Sequence, residues 1–235
     1  MNNNSKKAVC FDLDDTIFDH QYGMRRSLEQ VVAEYDLPRE IFLQAFHTAN
    51  QYLWQQYESA RVTREEVRFG RMAQALKACR REELDAKILT DRYFQRYKEN
   101  FRLLPGAEEA LKRLAQRAKL GIITNGFTDI QRLKLTATGL ADIVPLNLIS
   151  EELGLLKPQT EIFAHALAEM GGSIEQAIFV GDSFETDVLG ALRAGWQAIW
   201  FNPQRLPLPC AVKCEITADW QDLEYKLEQW INKGA

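Results

Sequence analysis

The sequence predicts an α/β protein, a parallel sheet covered by helices, interrupted once by an all-helical insert. Three observations predict it. Short apolar runs alternate with amphipathic helical patterns along most of the chain; one long stretch carries helical periodicity and no convincing strand; and polar residues, mostly acids, directly follow the apolar runs. Strand and helix in alternation imply right-handed βαβ units, hence a parallel sheet with both faces buried.

Taken in order, Ala8 to Leu13 is a short apolar run ending in acids, and similar runs recur at Leu120 to Thr124, Ala177 to Gly181 and Gln197 to Phe201. Each reads as a strand buried on both faces. Helical patterns separate them at Pro105 to Arg117, Thr128 to Thr138, Pro158 to Met170, Glu185 to Ala194 and Trp220 to Ile231. Thr128 with Gln131, and Ser173 with Gln176, have the spacing of capping boxes that open helices. From Phe18 to Phe101 the apolar residues fall at i, i+3, i+4 and i+7, which predicts four helices, with Leu37-Pro38 separating two of them and Thr63-Arg-Glu-Glu66 capping another. The expected organisation is a core of residues 1–17 and 103–235 with a helical domain of residues 18–102 inserted after the first strand. Leu103-Leu-Pro-Gly106 punctuates the return.

Composition narrows the function. The 235 residues hold 29 Lys and Arg against 33 Asp and Glu, a formal net charge of −4, with 46% hydrophobic residues. That excludes a generally basic nucleic-acid or membrane binder, and disorder along the whole chain. No apolar run is long enough to span a membrane and none has the pattern of a signal peptide, so a cytoplasmic protein is expected. Four cysteines without a CxxC pair fit reduced thiols rather than a disulfide framework. Residues 61–120 carry 16 Lys and Arg against 9 Asp and Glu. Such charge suits solvated helix faces, and could also help attract a phosphorylated substrate.

In open α/β sheets ligands sit beyond the carboxyl ends of the strands. Four segments answer that description: Phe11-Asp-Leu-Asp-Asp-Thr16, Ile123-Thr-Asn-Gly126, Leu155-Leu-Lys-Pro158 and Val180-Gly-Asp-Ser-Phe-Glu-Thr-Asp187. Asp12 and Asp14 are two residues apart at a strand end, so their side chains leave one face and can converge. With Asp182 and Asp187 added, a cation is the natural remedy for their repulsion, and hard oxygen ligands without Cys or His favour Mg²⁺ beside a substrate phosphate. Asp12 would then attack phosphorus and Asp14 act as general acid and base. Thr124, the backbone N–H of Asn125 and Lys157 would hold the phosphoryl oxygens.

These motifs, Asp12-Leu-Asp-Asp-Thr16, Thr124-Asn125, Lys157-Pro158 and Gly181-Asp-Ser-Phe-Glu-Thr-Asp187, resemble those of the haloacid dehalogenase-like hydrolase superfamily over almost the entire chain. The resemblance implies a Rossmann-like three-layer core with a helical cap, Asp12 as nucleophile and Asp14 as acid/base. It also implies Mg²⁺ held by Asp12, the backbone carbonyl of Asp14, and Asp182, with Asp187 in or just behind that shell. Dehalogenases of the superfamily lack the acid at Asp14, which points to a phosphatase; mutases of the β-phosphoglucomutase type share both aspartates and fit less well.

Substrate choice must come from the cap and neighbouring loops. Thr124-Asn-Gly-Phe-Thr128 continuing to Gln131, Leu135 and Thr138-Gly-Leu140, Ile149-Ser-Glu-Glu-Leu-Gly154, and Leu53-Trp-Gln-Gln-Tyr57 with Val62-Thr-Arg-Glu-Glu66 are similar to the pyrimidine 5'-nucleotidase branch. This implies a small-molecule phosphate monoester, a nucleoside monophosphate, as substrate. Trp54, Tyr57, Phe69 and Phe18 are aromatic candidates for stacking on a base. Asp19 and His20 lie where the chain leaves the core, with hinges of a closing cap expected near Phe18 to Tyr22 and Phe101 to Gly106. The alternatives are a sugar-phosphate or phosphoglycolate phosphatase and a catalytically silent binding protein, against which intact Asp12, Asp14, Lys157 and Asp182 argue.

Overall fold

A computed structural model describes residues 6–233. The described residues divide into two compact units, 6–19 with 102–233, and 20–101.

The first unit is built on a six-stranded, all-parallel sheet of order β3-β2-β1-β4-β5-β6. Its strands are β1 (Ala8–Phe11), β2 (Lys119–Thr124), β3 (Leu146–Ile149), β4 (Ala177–Gly181), β5 (Gln197–Phe201) and β6 (Glu215–Thr217). All of β1 and β4 is buried, as expected of strands packed on both faces. Cys10 is in register with Phe179, and on that face Phe179 meets Phe163, which in turn meets Trp196. The opposite face carries Phe11, stacked on Trp220 at 5.7 Å. This is the Rossmann-like α/β core that the alternation predicts.

The second unit consists of α1 (His20–Glu34), α2 (Arg39–Glu58), α3 (Arg64–Ala78) and α4 (Ala86–Glu99). Its core is apolar and aromatic: Leu28, Phe42, Phe46, Val67, Met72, Leu89, Tyr93 and Tyr97 are each at most 2% exposed. The capping box predicted at Thr63 is formed, with the Thr63 hydroxyl accepting from Glu66 N and Glu66 accepting from Thr63 N. Trp54 meets Tyr57 edge to face, and His20 Nδ1 lies 2.5 Å from the Tyr97 hydroxyl.

The remaining helices belong to the first unit: α5 (Ala107–Ala115), α6 (Thr128–Ala137), α7 (Leu140–Ile143), α8 (Ser150–Leu153), α9 (Thr160–Met170), α10 (Leu189–Arg193) and α11 (Trp220–Asn232). Three sequence expectations are corrected here. Thr128 is the first residue of α6 rather than its cap, because Gln131 turns its amide toward Asp14 and Thr124 instead of back along its own helix. Ser173 precedes only a three-residue 3₁₀ turn, Ile174–Gln176, and its side chain accepts no capping hydrogen bond. The helix expected from Glu185 opens instead with a wide π-type turn, Phe184–Val188, capped by Ser183, before α10. That turn carries Asp187 into the interior, where it is 1% exposed.

The two segments predicted as hinges run side by side where they belong to the first unit. Leu104 N donates to Ile17 O at 2.8 Å and Asp19 N to Arg102 O at 3.0 Å, and Arg102 pairs with Asp19 at 2.6 Å.

Candidate active site

The strand order places β1 between β2 and β4, so the residues that follow these three strands share one rim of the sheet. Asp12 follows β1 and its N–H donates to Val180 O of β4 at 2.8 Å. Thr124 ends β2 and is 1% exposed. Asp182 follows β4, and its carbonyl accepts from the Trp200 indole at 2.8 Å, which fixes the backbone there.

Lys157 arrives from the loop between α8 and α9, and its position is set by a reciprocal clamp. The Asn125 amide donates to Lys157 O at 2.8 Å while its oxygen accepts from Lys157 N at 2.9 Å. Asn125 was expected to offer its backbone N–H to phosphate; the structure shows that its side chain also carries the lysine. The Lys157 ammonium, 2% exposed, reaches Asp12 Oδ1 at 2.6 Å and Asp187 Oδ1 at 2.7 Å. Asp187 in turn accepts from Ser183 N at 3.0 Å. Gly181 is required for this packing, since a Cβ there would lie 2.2 Å from Asp187 Oδ2.

Asp12, Asp182 and Asp187 each offer an oxygen within 4.8 Å of the others. Burial first, then Lys157 and the neighbouring acids acting in opposite directions, leave the Asp12 carboxyl raised to about 7. Burial and the Asp12 and Asp187 charges push Asp182 up to about 9. For Lys157, burial works against the ammonium, but Asp12 and Asp187 outweigh it and hold its pKa above the ordinary lysine value. One ammonium does not offset three neighbouring acids, which adds to burial in raising the pKa of Asp12 and Asp182, and hard oxygen donors of this kind fit a divalent cation such as Mg²⁺ that would let them ionise.

Asp14 goes elsewhere. Its carboxylate is not in that group of three: Oδ1 accepts from Lys134 Nζ at 2.6 Å and Oδ2 from Gln131 Nε2 at 3.1 Å. Asp14 therefore takes different partners from Asp12, a buried lysine and an amide, while its charge still acts on the Asp12 carboxyl. Gln131 Nε2 also lies 2.6 Å from Thr124 Oγ1. Sequence reasoning missed Lys134, which is 2% exposed. The available signal was its i+3 spacing from Gln131, two polar residues on the side of α6 that also buries Leu135. The loop after β2 is closed by Ser150 and Glu151, which accept from Gly126 N and Thr128 N at 3.3 and 2.7 Å. Of the aromatic candidates, Phe18 is fully buried and its ring lies 4.9 Å from Lys134 Nζ. Trp54, Tyr57 and Phe69 are half-buried.

Comparison with known proteins agrees with this geometry. The haloacid dehalogenase-like hydrolase family matches residues 6–195. The chain is 32% identical over 204 residues to the pyrimidine 5'-nucleotidase YjjG of Escherichia coli, covering 86% of this chain and 88% of that protein. It is also 32% identical over 202 residues to a ribulose-1,5-bisphosphate 5-phosphatase of Halopiger xanaduensis, covering 83% and 84%. Among solved structures, the putative HAD-hydrolase YfnB of Bacillus subtilis, bound to magnesium and described as revealing interdomain movement, superposes with a TM-score of 0.82 at 29% identity, covering 94% of this chain and 98% of that one. The chain belongs to the haloacid dehalogenase-like hydrolases, and its similarity to a named 5'-nucleotidase and a named sugar-bisphosphate phosphatase supports a phosphatase.

Proposed function

We propose that this protein is a Mg²⁺-dependent phosphomonoesterase that hydrolyses pyrimidine nucleoside 5'-monophosphates through an aspartyl phosphate. The observation that carries the reading is the separation of the two acids. Asp12 lies with Lys157 and two further carboxylates, while Asp14 is held two residues away by different donors. One acid is thus set up as nucleophile and the other as proton carrier, which two-step phosphoryl transfer requires.

Asp12 and Asp182, with Asp187 beside them and the backbone carbonyl of Asp14, would hold Mg²⁺, which when bound offsets the charge of the carboxylates and of the phosphoryl oxygens. A carboxylate oxygen of Asp12 attacks phosphorus, the bond from phosphorus to the ester oxygen breaks, and that oxygen takes the proton of Asp14. Water then attacks the phosphorus of the aspartyl phosphate, gives a proton to Asp14, and releases phosphate and the Asp12 carboxylate. Lys157, charged and buried, neutralises the phosphoryl oxygens in both steps, while Thr124 and the N–H of Asn125 orient them. The similarity to YjjG supports a nucleotide as the ester.

A sugar phosphate is the second reading, supported by the ribulose-1,5-bisphosphate 5-phosphatase similarity. A panel of phosphate esters with Mg²⁺, ranked by kcat/KM, separates the two. UMP and dUMP are expected to lead. A sugar phosphate ahead by about tenfold, or 1.4 kcal/mol in transition-state stabilisation, overturns the nucleotide assignment. Phosphate release undiminished in Asp12→Asn overturns the proposed nucleophile.

A further inference from the structure

Asp12 and Asp14 each have a buried lysine of their own. Lys157 serves Asp12; Lys134, also 2% exposed, serves Asp14 at 2.6 Å. Removing an ammonium from water is costly and is sustained by a charged partner, so a lysine buried at this point calls for an explanation beyond packing. Gln131, one helical turn before it on α6, completes the arrangement by donating to the second Asp14 oxygen while touching Thr124 Oγ1. The loop is shaped around that amide. A Cβ on Gly126 would fall 2.7 Å from it, and Gly126 is held in turn by Ser150.

We propose that Lys134, assisted by Gln131, is a positioning residue that fixes the direction of the Asp14 carboxylate and keeps it apart from the Asp12, Asp182 and Asp187 group. The proposal rests on the reading of Asp14 as the acid/base. With both oxygens accepting, Asp14 is held in a single orientation. Linkage through Gln131 to Thr124 ties that orientation to the end of β2, where the phosphoryl oxygens are to be bound. Without Lys134, the Asp14 carboxylate loses the charged donor that sets its direction, and the proton carrier is no longer held to partners separate from those of Asp12. Asp12 and Lys157 keep their contacts, so nucleophilic attack is spared while proton delivery is not.

Leaving groups separate these two effects. A nucleoside 5'-monophosphate expels an alkoxide that needs a proton; p-nitrophenyl phosphate expels a stable phenolate that does not. With Mg²⁺ present, Lys134→Met is expected to lower kcat on the nucleotide by roughly tenfold or more, since positioned acid–base groups contribute about 10²–10⁴. KM should stay near the wild-type value. In the same variant the first-turnover burst of p-nitrophenolate should keep its wild-type rate, with slower steady turnover after it, because deprotonation of the attacking water also needs Asp14. Lys134→Arg should recover most of the loss. In an Asp14→Asn background, Lys134→Met should add nothing, as expected of a residue acting through Asp14. Equal losses in nucleotide turnover and in the burst, an unchanged nucleotide kcat, or a further loss in the Asp14→Asn background would each overturn the proposal. If Lys134→Met does not fold, Gln131→Leu keeps the lysine and is expected to show the same split in weaker form; equal losses there count against the proposal in the same way. The underlying reading fails separately, if Asp14→Asn alone leaves nucleotide turnover intact.

Discussion

Replacing Lys157 by Met puts the electrostatics of the site to its most direct test. The ammonium is 2% exposed and contacts Asp12 at 2.6 Å and Asp187 at 2.7 Å, so methionine fills the path of the stem and removes only the charge. Breaking a buried ion pair by deleting one partner costs about 3–5 kcal/mol. Here two carboxylates lose their countercharge together, and Asp182 stands in the same group, so the upper part of that range is expected without a cation. Saturating Mg²⁺ should return a large share of it, because it offers the acids another countercharge. Catalysis should not return. Loss of one preorganised charge at the phosphoryl group is expected to reduce kcat by about 10²–10³. Urea unfolding of both proteins in EDTA and in excess Mg²⁺ reads the first effect, and phosphate release from dUMP the second. Superimposable unfolding curves in EDTA, or a kcat within a factor of about three of wild type, would refute the reasoning.

Two further outcomes follow from the same geometry. Gly181→Ala places a methyl group 2.2 Å from Asp187 Oδ2, so it should cost about 1–3 kcal/mol of stability and weaken Mg²⁺ binding by displacing Asp187; calorimetric titration with Mg²⁺ checks this, and wild-type affinity contradicts it. The second concerns pH. Asp12 and Asp182 are raised to about 7 and about 9 in the cation-free fold, above an ordinary carboxyl value of about 4. An acid raised on folding contributes stability that is present below its unfolded pKa and lost as pH climbs through the folded one. In EDTA the Tm should therefore fall between pH 6 and pH 9, and added Mg²⁺ should raise it more at pH 9 than at pH 6. A Tm in EDTA that is flat over this range, with equal Mg²⁺ increments, would contradict the shifts. Lys157, raised above its ordinary value, stays charged across this window.

The elements that sequence reading captured are those whose signal is local. β4 and β5 begin and end where their apolar runs do, and the four helices of 20–101 follow from periodicity, with the Thr63 cap formed as expected. β3 and β6 escaped notice because half-buried Asn147 breaks the apolar run of one, and the other is a three-residue edge strand with two exposed positions. Neither has a run long enough to stand out from loop.

What the sequence alone determined is the alternation that makes a parallel sheet and the set of acids, amide, hydroxyl and lysine that follow its strands. A hydrophobic run and the polar residue at its end are neighbours in the chain, so their relation survives without coordinates. Only the tertiary structure decided which partners those groups take. Gln131 has the spacing of a capping residue and Lys134 that of a solvated helical lysine, yet α6 presents both to Asp14, and Asn125 spends its side chain on the backbone of Lys157. Those choices depend on which strand end each helix packs beside, a relation between residues more than a hundred positions apart in the case of Asp14 and Lys134, and no local pattern encodes it.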